Sequence, residues 1–239
     1  MGVSEDRTVG KATIDHSQPL LRQIGALGPN YSAWVHAPEP GQPRFFRNHL
    51  LEACSKTPWW VVPLVWLPLF TYCLACAVNR HGLPLPVAIS LALVGVVGWQ
   101  LLEYVVHRFV FHANLKSPLG CTFHFLFHGC HHKFPMDKLR LVFPPVPASL
   151  LVVAVYGSLV ATLPYGRALA VFAGMGYGYV SYDCLHYWMH HAGGAGVALP
   201  GALLRDLRRR HMDHHYRDYS KGYGISSAFF DILFCTAAD

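Results

Sequence analysis

Two histidine triplets share one spacing: His128-Gly-Cys-His131-His132 and His211-Met-Asp-His214-His215. In a helix, positions i, i+3 and i+4 fall within an arc of about 100°, so each triplet is predicted to point three imidazoles the same way. Two further sets lie between or before them, His107 with His112 and His186 with His190, the latter followed directly by His191. Neutral imidazole ligates zinc, iron, copper and nickel, and these ten residues exceed the four ligands of one structural zinc. A centre of two metal ions with about five histidines each is expected, held by His107, His112, His128, His131, His132, His186, His190, His211, His214 and His215. One of these histidines alone would read as an ordinary hydrogen-bonded residue; four sets at ligand spacing do not.

The elements that must carry these residues are apolar. Of 239 residues 53% are hydrophobic and 13% charged, with a positive mean hydropathy, which places the chain among polytopic membrane proteins. Uncharged runs at Trp59 to Val78, Leu85 to Leu102, Val142 to Leu163 and Ala168 to Tyr182 predict four transmembrane helices. The second runs straight into Glu103-Tyr-Val-Val-His107, and the fourth into Asp183 and His186, so two spans are expected to continue out of the bilayer carrying ligands. The fourth is the shortest and is rich in glycine (174, 176, 178), which favours close helix packing. The fold class expected is all-α: a membrane bundle with a cytosolic helical cap holding a dinuclear histidine site. Residues 1–58, polar and without the apolar core of a signal peptide, read as a cytosolic N-terminal arm, and residues 59–239 as the integral-membrane domain.

Charge sets the orientation. Of the 19 Lys and Arg residues, 17 lie in residues 1–58, in the 103–140 segment and after position 190, against Arg80 and Arg167 in the two short turns. By the positive-inside rule both termini and every candidate ligand face the cytosol. The same reading accounts for the net charge of +6 without nucleic acid, for which no motif is present. The seven cysteines are scattered and read as small buried hydrophobes rather than a disulfide framework. Gly-Met-Gly-Tyr-Gly-Tyr lacks the preceding strand and the last glycine of a dinucleotide fingerprint.

A metal pair at the membrane surface can receive an acyl chain rising from the lipid, and supports either hydrolysis by activated water or oxidation by activated oxygen. An all-histidine shell, unlike the carboxylate-rich shell of soluble di-iron bundles, favours oxygen chemistry on iron. Because the polar end of a lipid lies at the interface, oxidation is expected close to the carbonyl, at carbon 2. Imidazoles need partners that set their tautomers, and Glu103, Asp183, Asp213, Asp231 and the hydroxyl of Tyr182 are the candidates near the motifs.

The runs from Glu103 to His112, from His128 to Arg140, Tyr182-Asp183, His211 to His215 and Gly222-Tyr-Gly-Ile-Ser-Ser together resemble the fatty acid hydroxylase superfamily. Within it the chain is most similar to the sphingolipid fatty acid 2-hydroxylases of plant type. The resemblance implies a four-span enzyme of the endoplasmic reticulum that hydroxylates carbon 2 of very-long-chain acyl groups in ceramides, using dioxygen and electrons from cytochrome b5. It implies that the ten histidines are the metal ligands, with Tyr182 and Asp183 as candidate catalytic residues, and that iron is the active metal, with zinc an alternative in purified protein. Yeast and animal members carry a fused cytochrome b5 domain; the 58 residues before the first span lack its His-Pro-Gly-Gly haem motif, so the donor is expected in trans. Desaturation or sterol-methyl oxidation would use the same metal site, and a histidine-rich zinc transporter is the rival from another class. Transporter sites lie near the bilayer midplane, whereas these histidines lie past the span ends.

Overall fold

The computed structural model describes residues 14–192 and 201–238. All regular structure among the described residues is helical. Prolines set where the long helices begin. Pro84, Pro144 and Pro164 each precede a helix with ψ of 134°, 139° and 135°. Their rings hold φ where a helix can start, and they have no N–H to leave unpaired in a first turn.

Three helical segments are long and apolar enough to cross a membrane: α1 (Val61–Asn79), α2 (Leu85–Val106) with the π-helical turn His107–Phe111 that prolongs it, and α5 (Pro145–Thr162). Between α2 and α5 lie α3 (Pro118–His124), a second π-helical turn (Phe125–Gly129) and α4 (Cys130–Lys133). The run expected as a fourth span is part of α6 (Tyr165–His191), whose 27 residues extend about 40 Å at the rise of an α-helix. Helix α7 (Ala202–Tyr216) and the short α8 (Phe229–Leu233) follow.

Helix α6 is the hub, packing against α1, α2 and α5. Its glycines allow this. A Cβ on Gly174 would stand 1.9 Å from the carbonyl oxygen of Ala92, and one on Gly95 would stand 2.2 Å from that of Val171, so the α2 and α6 backbones touch. Trp66, Phe70, Trp99, Phe172 and Tyr179 fill the adjoining core.

The described part of the N-terminal arm is built into the protein. Leu20, Ile24, Leu27, Tyr31, Val35 and Phe45 form one apolar cluster with Cys121, Phe125, Cys130 and Phe134, on the segment that carries the first histidine triplet. Polar contacts fix the junction. Arg140 lies over the Phe45 ring and bonds Asp137 at 2.8 Å and Glu52 at 2.5 Å, while the other oxygen of Glu52 accepts the main-chain N–H groups of Phe45 and Phe46. Lys133, 1% exposed, donates to the carbonyl of Ala37 at 2.7 Å and pairs with Glu39.

Candidate metal centre

All ten histidines of the four sets meet at one end of the bundle, in two groups of five. His107, His112, His128, His132 and His214 form the first, and His131, His186, His190, His211 and His215 the second; in each, one nitrogen per residue lies within 4.8 Å of all the others. Each triplet was expected to present one metal-binding face, and here the structure differs. The first triplet gives His128 and His132 to the first group and His131 to the second; the second gives His211 and His215 to the second group and His214 to the first. The reason is helical phase. At 100° per residue, i+4 lies about 40° past i and i+3 about 60° short of it, so a triplet is wide enough to straddle two centres.

The π-helical turns complete the placement. His107 opens one of them and His112 directly follows it, and the wider winding turns a five-residue spacing, awkward for an α-helix, into a shared face. The second turn contains His128 and Gly129. A Cβ on Gly129 would lie 2.7 Å from the Tyr31 hydroxyl and 2.8 Å from His124 Nδ1, so the glycine lets the arm close over the triplet.

The spacings suit bound cations. In the first group His128 Nε2 lies 3.1 Å from His107 Nε2 and 3.0 Å from His132 Nε2. In the second, His131 and His186 Nε2 are 2.9 Å apart, and His211 Nε2 lies 2.8 Å from His190 Nε2 and 3.1 Å from His215 Nε2. Nitrogens at right angles around one ion at about 2.1 Å would be about 3.0 Å apart. A lone imidazole nitrogen is poorly suited to two others at that range, whereas a shared cation serves all of them. Nε2 of His112 and of His214 are buried without a hydrogen-bond partner, as ligands awaiting an ion would be.

Burial keeps the cluster neutral. It pushes His128, His131, His132, His211 and His215 well below the usual histidine range, with neighbouring imidazoles adding to the effect, and His214 down to about 3. Neutral imidazole is the form that binds metal.

The four carboxylates expected to orient the imidazoles make their contacts elsewhere. Asp213 pairs with Arg209 and Arg217 on the surface of α7. Asp183, 1% exposed, accepts the N–H of Phe143 at 3.1 and 3.3 Å, tying α6 to the start of α5. Glu103 and Asp231 accept main-chain N–H groups of residues 223–226. The acceptors that face imidazoles are main-chain carbonyls: His107 Nδ1 donates to Tyr223 O at 2.5 Å and His214 Nδ1 to Lys221 O at 2.6 Å. Carbonyls carry no mark in a sequence, so side-chain reasoning misses them. The neighbouring histidines have other engagements. His124 shares a 2.5 Å hydrogen bond with Tyr31, and His36 bonds the carbonyl of Ser32 and stacks on Tyr219 at 3.7 Å.

An apolar cavity of about 350 Å³ lies between α2, α5 and α6, with Phe70 and Phe172 among its walls. A second cavity of about 270 Å³ is lined by His128, His131 and His186. The two share Phe111, Phe127, Phe143, Pro147 and Tyr182. Tyr182 is thus the polar residue common to both, and its ring lies 5.9 Å from that of His186.

A family model described as fatty acid hydroxylase matches residues 92–236, the stretch that contains every histidine of both groups. The chain belongs to the fatty acid hydroxylase family. The hydroxylase, an oxidoreductase, is 42% identical over 226 residues to a dihydroceramide fatty acyl 2-hydroxylase of Arabidopsis thaliana, covering 94% of this chain and 93% of that one. It is 39% identical over 247 residues to the fatty acid 2-hydroxylase of Rattus norvegicus, covering 95% of this chain and 65% of the relative. Among solved structures the hydroxylase resembles full-length scs7p, of which only the hydroxylase domain is visible, with a TM-score of 0.87, 38% identity, and coverage of 95% of this chain and 86% of that one.

Proposed function

We propose that this hydroxylase adds a hydroxyl group to carbon 2 of very-long-chain acyl groups of ceramides, with dioxygen as oxidant and cytochrome b5 in trans as electron donor. The observation that carries the reading is the apolar cavity between the membrane helices that meets, at Tyr182 and Phe143, a cavity lined by His128, His131 and His186. An acyl tail lodged among the spans would bring its carbonyl end to the histidines, and carbon 2 is the first C–H position from that end. The names of the relatives support the same substrate class.

Both histidine groups would hold one ion each, iron in the active form, and the pair supplies activation of dioxygen for insertion into a C–H bond. The chain's own residues then bind and orient. The phenylalanines shared by the two cavities exclude water from the path. Tyr182, at the junction, is placed to contact the acyl head, and Asp183 holds Phe143 beside it through that residue's N–H. We assign Tyr182 to the substrate and Asp183 to its positioning.

Helix α6 serves as the fourth span, and the protein lies in the endoplasmic reticulum membrane with its termini and helical cap in the cytosol, as the distribution of lysine and arginine supports. Glycosylation acceptor sites inserted beside Arg80 or Arg167 should be modified in the lumen, and sites near Lys116 should not. Expression in a host lacking its own enzyme should raise 2-hydroxy acyl ceramides, with His186→Ala abolishing the gain. New double bonds, or hydroxyls far along the chain, would overturn the assignment in favour of a desaturase or a mid-chain hydroxylase.

A further inference from the structure

The two histidine groups differ in what holds their imidazoles. Among the described residues, the hydrogen bonds from the ten histidines to the main chain are those of His107 and His214, and both belong to the first group. A carbonyl only accepts, so Nδ1 of each carries the proton and Nε2 is left as the lone-pair ligand. Among the described residues, Nδ1 of His131, His190, His211 and His215 in the second group, and of His132 in the first, is buried without a hydrogen-bond partner.

Both carbonyls come from one short loop, residues 221–226, and that loop is held from two sides. Asp231, 2% exposed, accepts Tyr223 N–H at 2.9 Å and Gly224 N–H at 2.7 Å on separate oxygens, and the first oxygen also accepts the Thr236 hydroxyl at 2.8 Å. Glu103, 5% exposed, accepts Ile225 N–H at 2.6 Å and Ser226 N–H at 2.9 Å on one oxygen and the Ser226 hydroxyl on the other. Glu103 stands one helical turn before His107 on the same helix, so α2 supplies both a ligand and an anchor for the carbonyl that orients it. Only glycine fits at 224, where a Cβ would lie 2.1 Å from Ser227 O.

We infer that Glu103 and Asp231 are positioning residues for the first group alone: through the 221–226 loop they fix the tautomers of His107 and His214 and so set the affinity of one of the two metal ions, leaving the other unaffected. This rests on the two-ion reading above. Loss of such an outer partner weakens metal binding by about 10–100-fold in other proteins. The change should fall on a single equivalent.

The test is release of ferrous iron from the purified full-length protein, loaded anaerobically and titrated with a chelator. The parent should hold two equivalents. In Glu103→Ala and in Asp231→Asn, one equivalent should leave at about 10–100-fold lower chelator concentration and the other at the parent's. Asp231→Asn serves if the alanine variant does not fold, since its amide keeps one acceptor and opposes the N–H of Gly224. Glu103→Gln should behave as the parent, because the amide oxygen accepts both main-chain N–H groups and the amide N–H₂ donates to Ser226. Both equivalents shifting together, neither shifting, or Glu103→Gln matching Glu103→Ala would overturn the inference with the two-ion reading intact. A parent that holds fewer than two equivalents would overturn both.

Discussion

Helices α5 and α6 are consecutive in the chain and opposite in character. Of the 18 residues of α5, Ala148 alone is buried, whereas 15 of the 27 residues of α6 are. Yet α5 qualifies as a candidate span by hydropathy and α6 does not. The difference teaches that hydropathy reports contact with lipid rather than position in a bundle. A helix surrounded by other helices has no lipid to satisfy, and packing and chemistry set its composition. Helix α6 therefore carries the glycines that let α1 and α2 approach, and then Tyr182, Asp183, His186 and His190. Buried titratable residues cluster at functional sites, and α6 carries Asp183, His186 and His190 among its buried residues.

The contrast can be broken at four places. The largest effect is expected from His190→Ala: hydroxylation falls below detection and metal analysis shows one ion lost, as no substitution in α5 should do. Next is Gly174→Ala. Its methyl group would meet the Ala92 carbonyl at 1.9 Å, so the α2–α6 contact must open, at a cost of about 3 kcal/mol seen as earlier thermal unfolding in detergent. Gly176→Ala is milder and more specific. A Cβ there would come within 2.3 Å of the Phe70 ring, which lines the apolar cavity, and the displaced ring should shorten it. The ratio of long to shorter acyl products should fall about tenfold, as expected when an apolar pocket loses the volume of a methylene or two. Smallest is Val153→Ala on α5. Val153 is 66% exposed, and its truncation should change stability by less than about 0.5 kcal/mol and leave product composition unaltered. A large effect there would mean that α5 is covered by something other than lipid.

Much of this was legible in the sequence, for physical reasons. Ligands must be histidines and must recur at helical spacing, so the ten residues brought together are the ten that spacing singles out. Uncharged runs mark long apolar helices whether exposed, as α5 is, or buried, as α6 is, and the long helices contain each of the four runs over most of its length. The partition between the two groups was less legible, because i+3 and i+4 both count as near neighbours when the number of centres is open. The five-residue gap between His107 and His112 did hold a clue, since it departs from α-helical phase and a π-helical turn restores it. The N-terminal arm has no long apolar run, and only three-dimensional proximity unites Leu20, Ile24 and Phe45 with Phe125. Asp213 sits inside a triplet and invites a role beside the imidazoles, yet it faces outward to Arg209 and Arg217 because i+2 lies on the far side of the helix.

The interleaving of the triplets bears on how such a site can change over generations. Removing either triplet takes ligands from both groups, and inserting one residue between His128 and His131 would rotate His131 and His132 by about 100° relative to His128, unseating one ligand from each. An insertion or deletion that shifts the first histidine of either motif against the other two disturbs both groups. Changes of length at those two gaps therefore have no halfway form with a single intact group, so each motif's spacing is constrained by both groups at once, whereas substitution of one histidine touches one group alone.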